Sequence, residues 1–349
     1  MTHKTAKKCF NKNVIFTKLR KWLLIIAVII AGYLIIASLL NNFAFKPVNN
    51  PKYGVSFTKQ RAEEFGLNWK ANYTALLDDM GLRHYRLTSY WSEHEAVRGT
   101  FDFSSLDWMM DEAAKRGATV SLAIGLRQPR WPECHQPEWA MQLAGNQWKQ
   151  ALYAYMEVVV SRYKNHPALQ SYQLENEAVN NWFGECNRPD RQRLNEEFTF
   201  VKQWDPDHPV IMSLSDQHGI PMQGPVPDIY GFSVYRIVYN TIGPKFYTYY
   251  PTSIWYHRLR AAIITAIHHK PIIIHELQME PWGPINTSQM SIEEQNKSMS
   301  AQQIPKSFKF AKQIGLQDID LWGGEWWYWR KVHFGDNSIW SAVKSEINN

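Results

Sequence analysis

Acidic residues are missing from the start of the chain. Residues 1–49 hold eight Lys or Arg and not one Asp or Glu, although the whole chain carries 38 basic and 32 acidic residues. Without that segment the remainder has 30 basic against 32 acidic residues, a balance of −2. The basic character therefore belongs to a tail, and a nucleic-acid partner is not expected. Cysteine is scarce, at three in 349 residues, so no disulfide framework or Cys-rich metal site can be built. The histidines are not spaced like metal ligands: His268-His269 reads as a helix end, and Cys134-His135 has no second Cys or His at a zinc-like interval. No Gly-x-Gly-x-x-Gly follows any predicted strand, which weakens a dinucleotide-binding reading. No metal and no cofactor are expected. Solenoid repeats, low-complexity segments and Asn-Gly hairpin signals between strands are also missing.

One long apolar run is present. Residues 22–40 (WLLIIAVIIAGYLIIASLL) contain 19 residues and no charge. As a helix they would span roughly 28 Å, close to a bilayer core. Six Lys or Arg at positions 4 to 20, and Lys21 beside the run, place the amino terminus in the cytoplasm by the positive-inside rule. The run is longer than the apolar region of a cleaved signal peptide and lacks a clean small-x-small site, so an uncleaved anchor is expected. The organisation is then a cytoplasmic tail at 1–21, an anchor at 22–40, a polar linker with two prolines at 41–52, and one domain at 53–349 outside the cytoplasm. Cys134 and Cys186 would lie in that oxidising compartment, in loops after neighbouring strands. A disulfide between them is one reading, and two separate thiols the other.

From residue 53 the pattern alternates. Short apolar runs predict strands at 53–57, 84–88, 119–124, 169–174, 210–214, 229–234, 271–275 and 318–321. Amphipathic runs predict helices at 69–80, 106–116, 148–163, 191–204, 256–269, 296–314 and 339–347, with Pro305 expected to kink or split the sixth. Eight strands, mostly with helical crossovers, argue for an α/β fold of the (β/α)8 or TIM-barrel type behind a single transmembrane helix. In such barrels chemistry sits at the carboxyl ends of the strands. Those positions carry acids, amides and aromatics: Arg86 and Trp91 after the second strand, Arg130 and Trp131 after the third, Gln173 to Glu177 and Trp182 after the fourth, Ser215 and Asp216 after the fifth, Tyr235 after the sixth, Glu276, Glu280 and Trp282 after the seventh, and Trp322 to Trp329 after the eighth. Aromatic faces stack on sugar C–H groups and polar side chains grip hydroxyls, so a carbohydrate substrate is the expected partner. A monomer is expected.

Two of these acids end separate buried strands: Glu177, in Gln173-Leu174-Glu175-Asn176-Glu177, and Glu276, in Ile274-His275-Glu276. A pair of carboxyls bracketing a bond is what glycoside hydrolysis uses, one protonated and one ionised. Glu175 is a rival for the acid, since positions two apart share a strand face. Its other reading is a buried, paired support.

Asn176-Glu177 on the fourth strand and Glu276 on the seventh resemble the glycoside hydrolases of clan A, (β/α)8 retaining enzymes, and the string at 173–177 looks like that of clan A β-galactosidases. The resemblance covers residues 53 to 349. It implies Glu177 as acid/base, Glu276 as nucleophile, Asn176 on the sugar 2-hydroxyl, Arg86 and Tyr235 against the nucleophile, and Trp322 as the floor under the sugar, with Trp326 as its alternate. Trp91 is a further platform candidate. His275-Glu276 departs from the Thr-Glu common at that strand, which leaves room for a carbohydrate-binding protein on an inherited barrel. A transglycosidase is the other alternative to hydrolysis of β-linked glycosides.

Overall fold

The computed structural model describes residues 12–39, 46–178, 180, 183–186, 190–214, 224–240, 245–249 and 252–348. Trp182, Ser215 and Asp216 lie outside them. Eight parallel strands close into a barrel: Lys52–Ser56, His84–Thr88, Thr119–Ile124, Leu169–Leu174, Val210–Leu214, Ile229–Val234, Ile272–Gln278 and Asp318–Trp322. They follow one another around the barrel in chain order, and the eighth pairs with the first. Covered by helices outside and side chains within, these strands bury both faces and so read as continuous apolar runs. Val210–Leu214, for instance, is buried at all five positions.

Some helices begin at a side-chain cap. Asn68 accepts from the backbone of Ala71 at 3.1 Å, and Asp190 from that of Arg193 at 3.1 Å. Pro305 splits the predicted helix at 296–314 into Ile292–Ser298 and Ile304–Ile314, and sits in the first turn of the second, where its missing N–H costs nothing. Short helices at Lys59–Glu64, Trp91–His94 and Glu138–Met141 were not expected, and two further differences bear on the site. An antiparallel pair, Ile237–Tyr239 with Tyr247–Tyr249, follows the sixth strand across a connection too long to carry a two-residue turn signature. The Trp-rich stretch after the eighth strand is a helix, Gly324–His333. Gly323 makes that sharp exit possible: its φ is 143°, and a Cβ there would stand 2.7 Å from the Met279 carbonyl oxygen.

The seventh strand carries a bulge. Phe232 pairs with Ile274 but Ser233 with Glu276, so His275 is the extra residue. In a regular strand neighbouring side chains point to opposite faces. Here both His275 and Glu276 reach inward, His275 to Gln173 on the fourth strand and Glu276 to Arg86 on the second. Gly231 makes room for this, because a Cβ there would meet His275 Cβ at 2.7 Å.

The helix Lys12–Leu39 stands apart from the barrel core. Its segment Leu19–Ser38 has a mean hydropathy of 2.3 and no buried share, and is long and apolar enough to cross a membrane.

Candidate active site

The fourth strand stops at Leu174, and the chain then turns through two left-handed residues, Glu175 at φ 54° and Glu177 at φ 45°. Non-glycine residues pay for that conformation, so neighbouring contacts must hold it. The turn sends the two acids different ways. Glu175 accepts from the backbone N–H groups of Leu126 and Arg127 at 2.7 and 3.2 Å and from Arg193 at 2.8 Å, away from the cleft. Glu177 is held by Ser213, whose hydroxyl accepts its backbone N–H at 2.8 Å, and faces the barrel axis.

There it meets Glu276. Ser233 Oγ lies 3.3 Å from Glu177 Oε1 and 3.3 Å from Glu276 Oε2. Those two oxygens are therefore separated by no more than twice that distance, near the lower edge of the roughly 6.5–9.5 Å spacing of inverting glycosidases or below it. A hydroxyl has one proton to give. Both contacts become hydrogen bonds when Glu177 carries a proton and donates to Ser233, which in turn donates to Glu276.

The surroundings of the two acids differ in charge. Arg86 Nη1 donates to Glu276 Oε1 at 2.6 Å, and Tyr235 donates to Oε2 at 2.8 Å. Among the described residues, Glu177 has the Asn180 amide, which donates to Oε2 at 2.8 Å, beside the shared serine. Burial, and then the charge of Glu276, push its carboxyl up to about 6.

Around this pair the network closes. Arg86 also donates to Gln173 through Nε and to Asn176 Oδ1 at 2.7 Å, and Asn176 donates to Glu133 at 2.8 Å. Burial, with the charges of Glu177 and Glu276 adding, holds Glu133 well above the usual carboxylate range. His275 bonds Asp320 at 2.7 Å and faces Gln173 at 3.0 Å, in a polar layer directly beneath.

A cleft of about 820 Å³ opens above, and Glu177, Glu276, Asn176, Tyr235 and Trp322 all line it. One wall is aromatic, running from the exposed Trp131 through Phe183 and Trp282 to Tyr235. Trp322 is largely buried; the Arg130 guanidinium lies 3.9 Å from its ring centre. Two platform candidates are not on this surface. Trp91 is fully buried and spends its indole N–H on Glu95 at 2.7 Å. Trp326 is fully buried in the helix after the eighth strand and donates to Gln295 at 2.8 Å. A continued strand end would place Trp326 in the cleft, whereas the helical turn rotates it into the core. A disulfide joins Cys134 to Cys186, tying the loop that carries Trp131 and Glu133 to the loop that carries Phe183.

Sequence reasoning missed Ser213, Ser233, Glu133, Asn180 and Phe183. Ser213 and Ser233 each follow apolar neighbours near the end of a strand, a signal that was there to be read. The other three lie on loops, where spacing carries no geometry.

The family model described as glycosyl hydrolases family 2, TIM barrel domain, matches residues 62–307. This chain belongs to that family. A search of the curated proteins by sequence finds no match. Among solved structures the family 2 barrel is similar to a β-galactosidase of the Antarctic haloarchaeon Halorubrum lacusprofundi, with a TM-score of 0.50 and 15% identity over 78% of this chain and 52% of that one. It is similar to an exo-β-1,4-mannosidase of Opitutaceae bacterium strain TAV5, with a TM-score of 0.55 and 14% identity over 80% and 53%. A xylanase of Cellvibrio japonicus gives 0.56 and 14% over 87% and 68%. At such identities the likeness is one of fold. The chain spans about half the length of the β-galactosidase and the mannosidase.

Proposed function

We propose that this family 2 barrel is a retaining glycoside hydrolase of β-linked glycosides, with Glu177 as acid/base and Glu276 as nucleophile. The observation that carries this reading is the pair itself: two carboxyls bridged by one serine, one with its pKa raised to about 6, the other facing a guanidinium and a phenol. In the first step a Glu276 oxygen attacks the anomeric carbon. The bond to the leaving oxygen breaks, and the Glu177 proton passes to that oxygen. Esterified Glu276 has no charge, so the repulsion that raised Glu177 is gone and Glu177 stays ionised. It then takes a proton from water as the water oxygen attacks the anomeric carbon and releases Glu276. Asn176 has a second amide hydrogen for the sugar 2-hydroxyl, beside the one given to Glu133. Trp322 forms the floor. The apolar helix anchors the chain in a membrane with the barrel on the extracytoplasmic side, a reading that the basic flank supports.

The test uses the full chain in detergent, with nitrophenyl β-glycosides as substrates. Wild type turns over. Glu177→Ala and Glu276→Ala do not, or do so only slowly, and azide restores part of the rate. Azide on Glu177→Ala attacks the glycosyl-enzyme and yields the β-azide. Azide on Glu276→Ala replaces the nucleophile and yields the α-azide. The same anomer from both variants would refute the assignment.

A further inference from the structure

Beyond the two acids, the cleft has a third buried carboxylate with unused capacity. Glu280 lies four residues past Glu276, lines the cleft and is 7% exposed. Its Oε1 accepts from Trp322 Nε1 at 2.9 Å and from Arg130 Nη1. Its Oε2 is buried and, among the described residues, has no hydrogen-bond partner. Arg130 is used in the same incomplete way. Nη1 goes to Glu280 and Nη2 to Glu325 at 3.2 Å, while Nε is buried without a partner. An arginine and a carboxylate that meet to fill each other's bonds do so through two parallel contacts. This pair meets through one, and leaves an acceptor and a donor unspent. A buried polar atom left unpaired is costly, and a partner from a bound molecule relieves that cost. A sugar hydroxyl both donates and accepts, so it can pair with an acceptor or with a donor of this kind.

Which sugar is set by the chemistry. The acid sits on the side of the leaving group and the nucleophile on the side of the glycone. Glu177 shares its loop with Asn180 and Phe183, and Glu280 shares its strand end with Glu276 and is bonded to Trp322. Glu280 therefore faces the glycone. The cations at this end are already matched: Arg130 pairs with Glu280 and Glu325, and Arg61 pairs with Glu64 at 2.9 Å. Among the described residues, both guanidiniums at this end already face carboxylates, and Glu280 would repel a sugar carboxylate.

We propose that Glu280 and Arg130 read a glycone hydroxyl remote from the bond that breaks, and select a neutral sugar over a uronic acid. This rests on the glycosidase reading above. The experiment compares wild type, Glu280→Gln and Arg130→Lys, each checked by thermal melting. The substrates are nitrophenyl β-galactoside, glucoside, mannoside, xyloside and glucuronide, followed by the monodeoxy analogues of the preferred sugar. Wild type loses roughly ten- to a hundredfold in kcat/KM on one analogue, the range a hydrogen bond to a charged group supplies. On that analogue both variants lose less than threefold relative to their own rate on the parent sugar. Equal losses in wild type and variants on every analogue, or a preference for the glucuronide, would overturn the proposal. If wild type turns over no glycoside, the catalytic reading fails and melting decides the other. Stabilisation by methyl β-glycosides in wild type but not in Glu280→Gln supports the role given to Glu280, and stabilisation of neither or of both overturns it.

Discussion

Removing the Asn180 amide moves the pH dependence of the reaction in a calculable direction. Asn180 Nδ2 donates to Glu177 Oε2 at 2.8 Å, and Asn180 is itself buried, so water replaces it poorly. A donor favours the ionised form of a carboxyl, so it works against burial and the Glu276 charge, which together hold Glu177 at about 6. A hydrogen bond to a charged group is worth about 1.5–3 kcal/mol, and one pKa unit is about 1.36 kcal/mol. Asn180→Ala therefore raises Glu177 by about one to two units. The assay is kcat/KM against pH on an alkyl or methoxyphenyl glycoside, whose leaving group must be protonated. This quantity reports the free enzyme. Wild type falls off on the alkaline side with a pKa of about 6. Asn180→Ala falls off with a pKa between about 7 and 8, and is faster than wild type at alkaline pH. A dinitrophenyl glycoside needs no acid, so its alkaline fall is absent in both proteins. A limb that stays in place, or shifts to lower pH, would refute the role given to Glu177.

Three further outcomes follow from the same contacts. Glu177 binds its proton more tightly folded than unfolded, so the stability it contributes is present below pH about 4.5 and lost as pH rises through about 6. Glu177→Gln should thus be about 2 kcal/mol more stable than wild type at neutral pH and gain nothing in acid, as read by urea denaturation. Trp326→Ala should cost about 3–5 kcal/mol of stability by emptying a core site, yet leave KM of the folded protein unchanged. Replacing Cys134 and Cys186 together, whose sequence separation is 52, should cost about 4 kcal/mol by freeing the unfolded chain. An unchanged melting temperature would refute that.

The strand positions were legible in the sequence because parallel strands buried on both faces leave short apolar runs, distinct from the amphipathic helices between them. All eight predicted strands overlap those observed, within one residue at each end except at Gln278, where the seventh runs three residues further than expected. The acids at the ends of the fourth and seventh strands were legible for the same reason, since a carboxylate at the end of a buried run is conspicuous. What the strand pattern could not give is direction. The bulge at His275 turns two consecutive side chains inward, and the left-handed turn at Glu175 and Glu177 parts two acids that alternation would have put on one face. Trp322 and Trp326 are four residues apart, yet a helix start between them sends one to the cleft and the other to the core. The bridging serine, the Arg130–Glu280 contact and the aromatic wall join residues from separate strands and loops. Residues 43 to 150 positions apart touch there, and only closure of the barrel brings them together.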